Sequence, residues 1–189
     1  MASKIKVDQL ETADGSGTIA LQNQLSGMTT ASLPALGSAQ MPTGSVVQAK
    51  KVEYGGASTS TSSTSYVEIN SNFRPTITPA LSSSTIIADF ELNLCGDVDY
   101  DSHNFVTASI KIDKIQGGTT TTLYEKGATI DAGGHTRVRN VAIGFPFSAG
   151  STSEIEFRCY MKITSSPQSR ILLGGQGNHH HVTLMEVAG

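Results

Sequence analysis

The sequence predicts an all-β domain, a jelly-roll-like β-sandwich, with an extended N-terminal arm. Three observations predict it. Apolar and polar residues alternate with period two through one segment after another, which marks strands with one buried face. Gly, Pro, Ser and Asn clusters punctuate those segments at short intervals. No helix-period segment of useful length occurs after residue 40.

The arm and its linker are residues 1–40. Ile5 and Val7, then Ile19 and Leu21, alternate with polar residues around Asp14-Gly15-Ser16-Gly17, which reads as two short strands about a glycine turn. Lys4 and Lys6 are not followed by an apolar run, so the pattern is not that of a secretion signal. A two-stranded ribbon is marginal alone in water. It is therefore expected to dock on another surface or to intertwine with copies of itself. Leu21 to Leu25 fits either a helical turn stopped by Gly27 or a continued strand. Thr29 to Gln40 is rich in Ala, Ser and Thr, with Pro34 and Gly37, and reads as an extended linker.

Residues 41–189 carry the strands. Ser45 to Tyr54 is the first, followed by a low-complexity loop from Gly55 to Ser63. Tyr66 to Ile69 and Thr76 to Thr78 are short, and Pro75 and Pro79 punctuate the second. Thr85 to Leu94, Phe105 to Ile115, Thr136 to Phe147 and Glu154 to Ile163 are long. Thr120 to Tyr124, Arg170 to Leu173 and His181 to Val187 complete a set of nine or ten. Ile155, Phe157, Cys159, Met161 and Ile163 alternate with Glu154, Glu156, Arg158 and Lys162; Val106, Ala108, Ile110 and Ile112 alternate in the same way with polar neighbours. In the last segment Val182, Leu184, Met185 and Val187 show little alternation. This predicts a strand buried on both faces, inside the sheet or at a subunit interface.

Composition narrows the function classes. A net charge of −3 and a pI near 5.9 argue against binding nucleic acid through phosphate neutralisation. No apolar run approaches the ~20 residues of a membrane helix, so no membrane insertion is expected. Charged residues are 15% of the chain, below the average of about 25%. A surface made polar by Ser, Thr, Asn and Gly suits an obligate assembly, because burying many charges is costly. Cys95 and Cys159 fall on opposed strand faces and read as small buried hydrophobes with no disulfide.

Few residues have the look of chemistry. In a strand, His179 and His181 share one face and His180 takes the other. Imidazole is a common transition-metal ligand, so His179 and His181 are metal candidates; the competing reading is a polar run leading into a strand. Asp97, Asp99 and Asp101, with Asn104, have the alternation of a calcium loop but lack the glycine and glutamate of an EF-hand; the competing reading is a solvated hairpin loop. Arg137 and Arg139 beside His135 suit an anionic receptor or an ion pair with Glu154 or Glu156. No carboxylate pair flanks a cleft, no Gly-x-Ser-x-Gly elbow occurs, and Gly174-Gly175-Gln176-Gly177 lacks the Lys-Ser/Thr of a phosphate loop. No catalytic residue, cofactor site or enzymatic activity is predicted.

The run SKIKVDQLETADGSGTIALQNQLSGM, followed by Met41-Pro42-Thr43-Gly44-Ser45-Val46-Val47-Gln48, resembles the start of small tail-fibre or spike-type virion structural proteins of marine tailed phages. Ser153 to Ile163 and Val182 to Gly189 resemble their carboxyl ends. The resemblance implies a homotrimer in the virion, assembled in the host bacterial cytoplasm. Residues 1–40 would then anchor it to other virion proteins, and residues 41–189 would trimerise and face a host cell-surface glycan or protein. A capsid decoration protein is the near alternative, and a carbohydrate-binding or depolymerising module the distant one.

Overall fold

A computed structural model describes residues 37–55, 59–98, 105–131, 137–164, 169–173 and 179–189. The ribbon expected in residues 1–36 lies outside the described residues. The compact unit starts at Gly37, with a 3-10 turn over Ser38–Gln40. Eleven strands follow among the described residues: β1 Val46–Tyr54, β2 Thr59–Thr61, β3 Val67–Glu68, β4 Thr76–Ile77, β5 Thr85–Val98 and β6 Phe105–Gln116. The rest are β7 Thr119–Asp131, β8 Arg137–Ser148, β9 Ile155–Ile163, β10 Ser169–Leu173 and β11 His180–Val187.

The strands form two antiparallel sheets. In the six-stranded sheet β5 pairs with β8 on one side. On its other side it pairs with β11 along its first half and β10 along its second. β1 lies outside β11, and β2 outside β10. In the five-stranded sheet β9 pairs with β6 on one side and with β3 and β4 on the other, and β7 closes the far edge of β6. Successive pieces β1/β2, β3/β4 and β10/β11 each occupy one strand position. The pairing is then first with last, second with seventh, third with sixth and fourth with fifth. That is a rolled antiparallel ribbon, the jelly-roll arrangement. The expected fold class is the observed one.

Local chemistry explains the main elements. Gly117 and Gly118, with φ of 56° and 79°, form the two-residue turn between β6 and β7, where two consecutive left-handed residues match the strand twist. Leu123 is the extra residue of a bulge, since Ile112 faces Tyr124 and Asp113 faces Thr122; its side chain packs on the core. Among the described residues β8 pairs only with β5, and the Ala149 N–H bond to the Ser84 carbonyl sets a register in which the backbone nitrogen of Pro146 points away from β5, so its missing N–H costs no ladder bond.

The core lies between the sheets. Ile86, Ala88, Phe90, Leu92 and Leu94 of β5 face Ile155, Phe157, Cys159, Met161 and Ile163 of β9, all essentially buried. Phe90, Phe145, Phe147 and Phe157 form a connected aromatic cluster with centroid spacings of 5.7 to 6.3 Å. Cys159 is a free, buried thiol, as the alternation predicts. Cys95 follows Leu94 on the opposite strand parity and is placed by its backbone in β5.

Several expectations change. The serine-rich loop after Tyr54 contains β2, which forms because the edge of β10 supplies a ladder that low-propensity Thr-Ser-Thr would not find alone. β7 runs to Asp131 rather than Tyr124, held along its length by β6. β5 runs past Leu94 to Val98, so Asp97 stands in a strand opposite Arg170 and not in a loop. β11 does lie inside the sheet, between β1 and β5. It is not buried on both faces, however: His180, Val182, Leu184 and Glu186 are buried, and His181, Thr183, Met185 and Val187 only half-buried. The alternation is hidden in the sequence because Glu186 points inward and Met185 outward, against their polarity.

Candidate functional site on the outer face of the six-stranded sheet

The two strand positions on one side of β5 are each divided between two strands, β11 and β10 in the first and β1 and β2 in the second. The β11 ladder on β5 ends at the His181–Glu91 pair and the β10 ladder begins at Leu173–Leu94, so among the described residues Leu92 and Asn93 have no ladder partner on that side. In the next position β1 ends at Tyr54, opposite His180, and β2 begins at Thr59, opposite Leu173. An interruption of this kind strands ladder groups that must find other partners. His180 supplies one: its Nδ1 accepts the backbone N–H of Asn93 at 3.1 Å, while Asn93 Nδ2 donates to the carbonyl of His179. The His180 ring is 1% exposed and packs against Tyr54 and Phe73. Burial first, then the neighbouring His181 and His179, push it down to about 4, so it is neutral at ordinary pH. Its Nε2 has no hydrogen-bond partner among the described residues.

His179 and His181 point the other way, as strand parity predicts. Their rings stack at 6.4 Å and both face Glu53 of β1. His179 Nδ1 lies 2.5 Å from Glu53 Oε1, and His181 Nδ1 lies 3.8 Å from Oε2. Gly55 lies below them: a Cβ there would come within 2.6 Å of the His179 ring, which would have to turn aside. Beyond this cluster Lys51, Asp89, Glu91, His181 and Thr183 line a shallow groove of about 330 Å³. Asp89 leans over Gly144, where a Cβ would collide with its carboxylate. Among the described residues no three His, Cys, Asp or Glu side chains stand in metal-holding geometry.

The other predicted sites do not converge here. Asp97 is in β5, while Asp99 and Asp101 lie outside the described residues. Arg137 and Arg139 are in β8, which pairs with β5 and not with β9. Glu156, one of the expected partners, pairs with Arg158 at 2.6 Å.

Sequence reasoning missed two buried carboxylates, Glu186 and Asp113. Glu186 is fully buried, and its carboxylate accepts Gln48 Nε2 at 2.5 Å and the N–H groups of Ala80 and Leu81 at 2.9 to 3.1 Å. Burial alone would raise its pKa, but these donors outweigh that and hold the carboxyl below its ordinary value. Glu186 thereby ties the segment before β5 to the last strand. The other is Asp113, 3% exposed, which accepts Lys111 Nζ and Thr122 Oγ1, both at 2.7 Å. An acid in an alternating strand reads as solvent-facing, and nothing local in the sequence distinguishes these two.

No family model matches the chain, and no curated protein matches it. Solved structures give faint likenesses. A T=1 particle derived from infectious bursal virus has a TM-score of 0.40 and 13% identity over 76% of this chain and 37% of that one. Infectious bursal disease virus Gt strain gives 0.36 and 12%, over 77% and 39%. Dimeric latent PorU from Porphyromonas gingivalis gives 0.31 and 8%, over 77% and 11%. The chain spans less than two-fifths of the length of each of these structures. Scores at this level establish no relationship.

Proposed function

We propose that the chain is a structural virion protein of a tailed phage, a homotrimeric tail-fibre or spike component without catalytic activity. Residues 1–40 attach it to another virion protein, and the jelly roll displays loops towards a host-surface glycan or protein. The resemblance of both chain ends supports the phage and trimer parts. One structural observation carries the anchor-and-display part. Residues 37–45 and the carboxyl end meet at one end of the sandwich, where the Gly44 N–H donates to the Ala188 carbonyl at 2.8 Å and the Ala188 N–H donates to Ser45 at 2.9 Å. The strand ends joined by residues 99–104, 132–136 and 165–168 lie at the other end, because Val98 pairs with Ser169, Gly96 with Arg137 and Phe105 with Asp131. A protein that anchors at one pole and presents variable connections at the other needs this polarity.

The test is to delete residues 1–40 and image intact particles. The expected result is a soluble β domain that no longer joins the particle, and full-length protein whose N-terminal segment touches a tail component. Full-length density on the capsid shell would favour decoration instead. Normal incorporation of the truncated protein would remove the anchoring role.

A further inference from the structure

The outer faces of the two sheets differ in kind. On the five-stranded sheet the side chains partner one another: Arg74 with Glu68, Lys111 with Asp113, and Tyr66 with both Ser109 and Glu125. Lys162 and Lys111 also lie over the Tyr66 ring. On the six-stranded sheet, strand register places side chains in rows across β1, β11, β5 and β8. One row is Ala49, Met185, Ile87 and Pro146, flanked by Val46 and Val187. Val46 is 50% exposed, Ala49 and Pro146 are exposed, and the other three are half-buried. The adjoining row carries Lys51, Thr183 and Asp89, and the next Glu53, His181 and Glu91. Among the described residues, Lys51, Asp89 and Glu91 have no hydrogen bond or ion pair, although they line one groove.

A sandwich sheet normally turns polar residues outward. A contiguous apolar strip rimmed by charge marks an interaction surface. We propose that this face docks a second copy of the same chain, with Lys51 of one copy meeting Asp89 and Glu91 of the next. The occupant follows from charge complementarity. Lys51 lies on the β1 side of the face and the two carboxylates on the β5 side, so the face offers what its own partner must supply. Lys51 engages one neighbouring copy while Asp89 and Glu91 engage the other, so the contact is head-to-tail and closes into a ring under rotational symmetry. The inference rests on the homo-oligomer reading above and assigns its surface.

The experiment is sedimentation of full-length protein at micromolar concentration, with circular dichroism to confirm the fold. Wild type is expected to be oligomeric. Met185→Arg is expected to weaken association at least tenfold with an unchanged β spectrum, and Lys126→Glu on the other sheet is expected to leave it intact. Lys51→Glu and Asp89→Lys should each associate poorly alone and associate more strongly when mixed, because two of the three contacts in a mixed trimer are then complementary, which only a contact between copies allows. A folded Met185→Arg that stays oligomeric overturns the proposed surface while the homo-oligomer reading stands. Monomeric wild type overturns that reading and the surface with it. Should Met185→Arg lose its β spectrum, the mixing of the two charge variants decides: stronger association supports the surface, and no gain overturns it.

Discussion

His180 Nδ1 accepts the Asn93 backbone N–H at 3.1 Å and so closes the ladder where the strand beside β5 is interrupted. The bond requires a neutral imidazole, and burial keeps it neutral by pushing the ring down to about 4.

That depression has a pH consequence. Unfolded His180 takes its proton near 6.5, whereas the folded ring resists until about 4. Its contribution is therefore full above 6.5, declines as pH falls through that interval, and is gone below it. The scale is up to about 3 kcal/mol at roughly 1.4 kcal/mol per unit. Asn keeps an acceptor but does not titrate. The prediction is that His180→Asn flattens the fall in melting temperature between pH 6.5 and 4 relative to wild type. Identical slopes in the two proteins would count against it.

Glu186 acts at lower pH. Its carboxyl is held below its ordinary value, so its contribution is present above about 4.5 and is lost as pH falls through the depressed folded value. Glu186→Ala leaves the Ala80 and Leu81 N–H groups without their acceptor, at a cost of about 1–3 kcal/mol. Denaturant unfolding at pH 7 measures this, and amide exchange should quicken at Ala80 and Leu81. Unchanged exchange at both positions would refute the tie.

The His179–Glu53 pair is half-exposed on both sides, so Glu53→Gln should cost less than about 1 kcal/mol. Chelator is expected to leave the melting temperature of wild type unchanged. A chelator-dependent fall in wild type that is absent from a His179→Ala, His181→Ala variant would establish a metal there.

Cys159→Ala should destabilise by about 1–2 kcal/mol through lost packing. Burial pushes this thiol far up, so native protein should resist thiol-directed alkylation until it unfolds. Rapid alkylation of Cys159 without unfolding would overturn the expected inertness, as would a non-reducing mass two hydrogens short.

Removing residues 182–189 should abolish the fold. β11 supplies ladders to both β1 and β5, and its loss strips Val182 and Leu184 from the core. A truncated protein with a cooperative melt and native β spectrum would show the opposite.

The sequence alone determined the class of fold. Period-two alternation in Ile86 to Leu94 and Ile155 to Ile163 depends only on which residues favour a buried face, and both segments are inward-facing strands. Strand parity likewise separated His180 from His179 and His181 before any coordinates. Tertiary structure decided the rest, because it depends on neighbours. β2 exists only because β10 offers an edge, and β7 extends only because β6 does. Which histidine meets Glu53, and that Asn93 needs His180, follow from register across strands far apart in sequence. Glu186 and Asp113 could not be read as buried, since a carboxylate goes inside only where donors from other segments are already waiting.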